Sequence, residues 1–238
     1  GSGLGRATAE LLVSRGARVT ICGRRKDKIE SVAASLGPAC RAVQSDITQA
    51  PDRDRLIDAA LEHGGGLDGL VNNAGNMYRA TIETFDEVRL LDLFNQNVIA
   101  GLMLSKLAVS ALERTQGSIV FLGSTHTRRA FPGGVPYAAT KAALQTITKV
   151  LAAELGPRQI RVNCVLPGAV LTEINERAGL GDQADHSWPI YHDAASHKAG
   201  DLSDWTICSA LVDLRAKRLQ IYHGNPREGV VVADESLV

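Results

Sequence analysis

Aromatic residues are scarce in this chain, at 4% of 238 positions, and neither sign of charge prevails, with 26 Lys plus Arg against 26 Asp plus Glu. A balance of this kind offers no basic field for nucleic acid and no acidic field for a cationic partner. Long apolar runs are missing as well. Stretches such as Gly69 to Val71 and Ile119 to Leu122 are strand-sized, whereas a membrane-spanning helix needs about 20 residues. The opening GSGLGRATAE lacks the basic region and apolar block of a secretion signal. Four cysteines, Cys22, Cys40, Cys164 and Cys208, are scattered without CxxC spacing, which fits reduced thiols better than a disulfide framework or a zinc site. The expectation is a cytoplasmic protein with no nucleic-acid partner, no membrane association and no metal.

What is present is a regular alternation. Apolar runs bounded by turn residues recur at Ala17 to Cys22, Arg41 to Gln44, Leu67 to Val71, Ser118 to Leu122 and Ile160 to Leu166. Between them lie stretches of helical period: Arg6 to Arg15, Asp27 to Leu36, Arg53 to His63, Phe85 to Leu112 and Pro136 to Leu155. Strands that are apolar on both faces, each followed by a helix, predict an α/β fold: a Rossmann-like, doubly wound parallel sheet with helices on both faces. At 45% hydrophobic the chain can fill one sizeable core, so a single domain over 1–238 is expected.

Three features within that frame carry chemistry. Gly1, Gly3 and Gly5 stand directly before the first helix, where glycines let a backbone approach a pyrophosphate and the helix N-terminus meets its charge. A glycine-rich chain end also frays, so alone this motif is weak. About 20 residues on, where an NAD-binding chain places an acid, stands Gly23, followed by Arg24 and Arg25; guanidinium groups there pair with a 2′-phosphate and favour NADP over NAD. Solvated arginines at a helix start are the alternative. Third, Tyr137 and Lys141 in YAATK share one helical face, and Ser124 stands at the end of a preceding strand. A tyrosine titrates near 10, too high for a base at neutrality, and a neighbouring ammonium lowers it. A serine hydroxyl nearby stabilises charge developing on a substrate oxygen.

The four residues Asn72, Asn73, Ala74 and Gly75 follow a strand end, where small residues admit a flat ring or simply form an Asx turn. Asp46, in SDIT, reads locally as a helix N-cap.

Taken together, the GSGLG start, NNAG, the Ser124, Tyr137 and Lys141 set, and IRVNCVLPGAVLT resemble the short-chain dehydrogenase/reductase family, continuously from about Ala17 to Thr172. The resemblance implies that Tyr137 is the acid/base, that Lys141 holds the nicotinamide ribose and lowers the tyrosine pKa, and that Ser124 orients the carbonyl. Asn97, in FNQNVIAG, would hold a proton-relaying water, with Asn95 the nearby alternative. Ser2, Gly3, Leu4 and Gly5 would form the pyrophosphate turn, Arg24 would take the ribose phosphate, and Asp46 with Ile47 would meet the adenine. Asn73, Ala74 and Gly75 would line the adenine ribose. Pro167 and Gly168 would wall the nicotinamide, and Thr172 with the Val170 backbone would bind its carboxamide. The first glycine of the family's TGxxxGxG loop and the strand before it are absent; that strand is central, so its neighbours are expected to be left unpaired.

Beyond Thr172 the resemblance thins. In the family, 173–204 is a lid over the substrate; here it carries His186, His192 and His197 at spacings that do not suggest a metal. The tail 205–238 is atypical, with Gly229 to Ala233 the candidate for the family's last strand but no VDGG-like turn, a departure open to divergence or a misread frame. The tail often builds family dimers and tetramers, so a homodimer or homotetramer is the expectation.

Substrate contacts are expected between the serine and the tyrosine, at Thr125, His126, Arg128 and Val135, with Arg128 and Arg129 suited to an acidic substrate or merely solvated. The leading reading is an oxidoreductase moving a hydride between NADP, or NAD, and a small-molecule carbonyl or alcohol: a ketone or secondary alcohol such as a 3-oxoacyl, sugar or steroid-like substrate. The rival reading is a nucleotide-binding protein without turnover, or an inactive fragment of such an enzyme.

Overall fold

Each of the five apolar runs in the sequence becomes a strand, and each helical period becomes a helix except Phe85 to Leu112, which divides in two. In the computed structural model, residues 1–128, 131–168 and 170 are described in full, together with the backbone of 208–213, 218–223 and 231–236. Thr172, Arg129, the 173–204 lid and its histidines lie outside the described residues. The order is α1 (Gly3–Ser14), β1 (Val19–Gly23), α2 (Lys26–Leu36), β2 (Cys40–Gln44), α3 (Ala50–Gly64), β3 (Gly69–Asn72), α4 (Glu87–Phe94), α5 (Ala100–Thr115), β4 (Ser118–Leu122), α6 (Val135–Leu155) and β5 (Arg161–Val165).

The ladders are parallel, as helix crossovers require. β1 pairs β2 from Val19↔Cys40 to Gly23↔Gln44, and β4 lies between β3 and β5 with Ser118 opposite both Gly69 and Arg161. Among the described residues no ladder joins β1 to β3, so the sheet is in two pieces, each with an unpaired edge.

The main core fills the space between β4 and the helices α5 and α6 that pack on it. Ile119 and Phe121 alternate inward along β4 and are wholly buried, meeting Leu104, Ala108 and Leu112 of α5 and Leu144 of α6. Burying a side chain of that size contributes about 1.5–3 kcal/mol.

One helix departs from its expected form. The period from Phe85 to Leu112 predicts one continuous helix, but the chain starts it at Asp86, whose carboxylate accepts the Arg89 N–H at 2.8 Å, and then widens into a π-turn over Asn95–Ile99 before α5. The extra residue in that turn shifts the helical phase. It buries Asn97 to 4% exposure and leaves the apolar Ile99 47% exposed, the reverse of what hydrophobicity alone would choose. Turns of this type inside helices are frequent at functional sites.

The chain divides into two compact units, Gly1–Ala184 and Asp185–Val238. In the second, β6 (Cys208–Asp213), β7 (Arg218–His223) and β8 (Val231–Ser236) form an antiparallel sheet in the order β6-β7-β8. The final strand therefore covers Val231–Ser236 and pairs antiparallel with β7. No helix among the described residues is long and apolar enough to cross a membrane.

Candidate active site

Four side chains that the sequence marks out converge in the interior of the first unit: Asn97, Ser124, Tyr137 and Lys141, all buried. Ser124 follows the carboxyl end of β4 in extended conformation and caps a short 3-10 turn, Thr125–Thr127, by accepting the His126 backbone N–H at 3.2 Å. Tyr137 and Lys141 stand one turn apart on α6, with the Lys141 ammonium 5.6 Å from the centre of the phenol ring. The Ser124 hydroxyl lies beside the Tyr137 phenol and acts on its proton.

Two opposing pulls act on the tyrosine. Burial raises its pKa and the Ser124 hydrogen bond lowers it; burial wins, so the protein's own groups leave the phenol above its ordinary value. The lysine moves the other way. Burial pushes it down to about 8, only partly opposed by nearby Cys164, and Nζ donates to the Leu122 carbonyl at 2.7 Å.

Asn97 holds the loop after β3. Its Oδ1 accepts the Asn76 N–H at 2.7 Å, while Nδ2 donates to Asn76 O at 2.9 Å and to Thr140 Oγ1 at 3.0 Å. A Cβ placed on Gly75 would lie 3.1 Å from that Oδ1 and 3.6 Å from Lys141 Nζ, so a glycine here keeps the loop close to both. The choice between Asn95 and Asn97 is thereby made by the π-turn.

The residues expected to meet a nucleotide gather at the start of α1 and at the carboxyl ends of β1, β2 and β3. Gly3 opens α1 with φ +53°, a conformation that favours glycine, and Arg25 Nη2 donates to Ser2 Oγ at 3.3 Å. A Cβ on Gly5 would fall 2.6 Å from Asn73 Nδ2, so the glycine turn lies against NNAG. Asp46 is not the helix N-cap that its setting suggests. Its Oδ1 accepts both the Thr48 N–H and hydroxyl in an Asx turn, and Gln49 occupies the cap position of α3. Burial works to raise the Asp46 pKa, but the Thr48 hydrogen bonds and the Arg24 charge outweigh it and hold the carboxyl below its ordinary value. Ile47 packs against the core. N–H groups at a glycine-opened helix, guanidinium groups beside it and a small-residue strand end suit a dinucleotide, and by these observations the residues fit one.

The remaining positions divide. Thr125 donates its N–H to Pro167 O at 3.1 Å, which draws the loop after Ser124 to the PG segment, and a Cβ on Gly168 would meet nothing within 4 Å. Ala74, Arg128, Val135 and Val170 are exposed. Four participants escape the sequence patterns: Asn76, Thr140, the Leu122 carbonyl and Phe131, which packs on His126. Thr140 alone has a signal, since it follows Tyr137 by three residues on the same helix.

A family model described as short chain dehydrogenase matches residues 1–182. The chain belongs to that family. Among curated relatives, this short-chain dehydrogenase is 39% identical over 183 residues to an uncharacterized oxidoreductase of Methylorubrum extorquens, covering 75% of this chain and 73% of that protein. It is 35% identical to dehydrogenase/reductase SDR family member 4 of Sus scrofa, over 73% of this chain and 64% of the relative, so it spans a little under two thirds of that protein's length. Among solved structures, 3-ketoacyl-(acyl-carrier-protein) reductase from Brucella melitensis complexed with NADH is similar at TM-score 0.70 and 30% identity, over 73% of this chain and 74% of that one. A short-chain dehydrogenase/reductase of Caenorhabditis elegans, solved with cofactor, gives TM-score 0.71 at 32% identity, over 77% and 72%. The fold is thus Rossmann-like and the chain is an oxidoreductase family member with a nicotinamide cofactor.

Proposed function

We propose that this chain reduces a ketone, or oxidises the corresponding secondary alcohol, with NADP preferred over NAD. The observation that carries the reading is the burial together of Ser124, Tyr137 and Lys141, with the serine hydroxyl beside the phenol and the Lys141 ammonium 5.6 Å from the phenol ring, one helical turn away.

When bound, the nicotinamide supplies or accepts the hydride. In the reducing direction, Tyr137 gives its proton to the carbonyl oxygen, and a phenol held above its usual pKa stays protonated for that step. Ser124 donates to the same oxygen as charge develops there. Lys141, brought down to about 8 by burial, exchanges protons near neutrality and restores the phenol. Asn97 is assigned to the water through which the lysine regains its proton, and its Oδ1 and Lys141 Nζ both lie close to Gly75. In alcohol oxidation Tyr137 becomes the base, and positive charge from Lys141 and the oxidised ring has to offset the rise due to burial.

Arg24 and Arg25 at the end of β1 support the NADP preference, and the NADH held by the Brucella melitensis relative is the counterweight. That relative's 3-ketoacyl substrate supports a 3-oxoacyl thioester first, with sugar and steroid-like ketones next. Thr172 and Val170 are assigned to the carboxamide, and 173–204 to the substrate lid. A homodimer or homotetramer is supported by Val88 at 75% and Leu91 at 64% exposure on α4. The free thiols Cys22, Cys40 and Cys164 fit the cytoplasm.

Fluorescence titration with NADPH and NADH, then a carbonyl panel followed at the reduced nicotinamide band, tests the reading. Loss of about 10²–10⁴ in turnover by Tyr137→Phe with binding retained supports it. Tighter NADH than NADPH binding overturns the cofactor preference. Binding without turnover across the panel favours the non-catalytic alternative.

A further inference from the structure

His126 lies two residues past Ser124 and touches both hydroxyl-bearing side chains of the site. Its ring packs on Phe131 with centroids 4.5 Å apart and meets the Tyr137 ring edge-on at 5.4 Å and 88°. Its Nδ1 is 3.2 Å from Ser124 Oγ, and its own backbone N–H donates to the same oxygen. Two aromatic neighbours and a main-chain bond thus hold the imidazole in one orientation toward the serine.

A serine hydroxyl has one proton and two lone pairs. One lone pair is taken by the His126 N–H, so the tautomer of the ring decides the rest. With the ring proton on Nε2, Nδ1 accepts the Ser124 proton, and Ser124 in turn accepts from Tyr137. Both hydroxyl protons are then consumed inside the protein. With the proton on Nδ1, the ring fills the second lone pair of Ser124. The serine must now donate outward, to Tyr137 Oη or to a substrate oxygen, and the phenol proton is released for the substrate.

We infer that His126 is a positioning residue whose Nδ1–H fixes the direction of the Ser124 hydroxyl and thereby of the Tyr137 proton. This rests on the catalytic reading above. Burial first, and the Arg79 charge second, lower the His126 pKa below its ordinary 6.5, so at neutral pH the ring is uncharged and the direction depends on the tautomer.

The test has two arms. In the full chain labelled with ¹⁵N-histidine, ring nitrogen shifts assigned by loss of the signal in His126→Phe report the tautomer without any substrate. Nδ1–H supports the inference and Nε2–H overturns it. In the kinetic arm, His126→Phe keeps the ring packing and removes the donor, while His126→Asn restores an N–H at the Nδ1 position. The expected result is a kcat lower by roughly tenfold to a hundredfold in the Phe variant with NADPH affinity and Tm unchanged, and most of kcat recovered in the Asn variant. A Phe variant with wild-type kcat, or an Asn variant no better than Phe, overturns it. Should no carbonyl turn over in the wild-type chain, the catalytic reading falls, and the tautomer still decides the role of His126.

Discussion

The ammonium of Lys141 donates to the main-chain oxygen of Leu122 at 2.7 Å, tying the middle of α6 to the carboxyl end of β4 in the buried heart of the site. Because burial lowers the folded-state pKa to about 8 from an ordinary 10.5, the charge is carried at a cost. Below pH 8 folded and unfolded chains both hold the proton, and that cost is constant. Between pH 8 and 10.5 the folded chain has released it while the unfolded chain still binds it, so stability rises with pH, by about 3 kcal/mol in all. Urea denaturation of wild type and Lys141→Met at pH 7.5 and 10 should show the difference moving toward wild type at the higher pH. Parallel profiles would contradict the burial of the charge.

Asn97 bridges the π-turn, the loop at Asn76 and Thr140 through three hydrogen bonds. Removing it strands buried partners, each at about 1–3 kcal/mol. Asn97→Ala should therefore lose at least about 2 kcal/mol of unfolding free energy, while half-buried Asn95→Ala loses about 1 or less. Equal losses in denaturant titrations would mean that the π-turn does not set the site.

Two glycines separate binding from folding. In Gly5→Ala the new methyl falls 2.6 Å from Asn73 Nδ2, the movable end of a side chain at the dinucleotide turn. NADPH binding should weaken about tenfold or more, ~1.4 kcal/mol per decade, with little change in Tm. In Gly117→Ala the methyl falls 2.6 Å from the Asp68 carbonyl and 2.8 Å from Leu112 Cδ2, where main chain and core must yield. That variant should lose about 1–3 kcal/mol of stability and keep its affinity for NADPH. Reversed phenotypes in calorimetry and titration would refute the placement of the turn.

Phe121 on β4 is wholly buried among α5 and α6 residues. Phe121→Ala should cost about 3–5 kcal/mol by urea denaturation, and a cost under 1 kcal/mol would mean that β4 is not the centre of the core.

Strand and helix positions are legible because they depend on local period: VTIC, GLV and SIVFL can only be strands between turns, and YAATKAAL only a helix. The Tyr137 and Lys141 pair is legible because residues at i and i+4 share a face wherever a helix forms. The π-turn is not, since FNQNVIAG keeps an acceptable 3.6-residue period and the widening follows from burying an amide that bonds Asn76 and Thr140. Asp46 escapes its local pattern for a similar reason: Thr48 offers two hydrogen bonds where a cap offers one.

By itself the sequence determined which residues form strands and helices, the parallel order they take, and that Tyr137 and Lys141 share one helical face, because period and spacing are properties of neighbours along the chain; that Ser124 joins them was implied only by the family resemblance. Tertiary structure alone decided that the tyrosine is raised and the lysine lowered, that Asn97 rather than Asn95 enters the site, and that His126 faces the serine. Burial and hydrogen-bond direction depend on what packs from distant parts of the chain, and no local pattern encodes them.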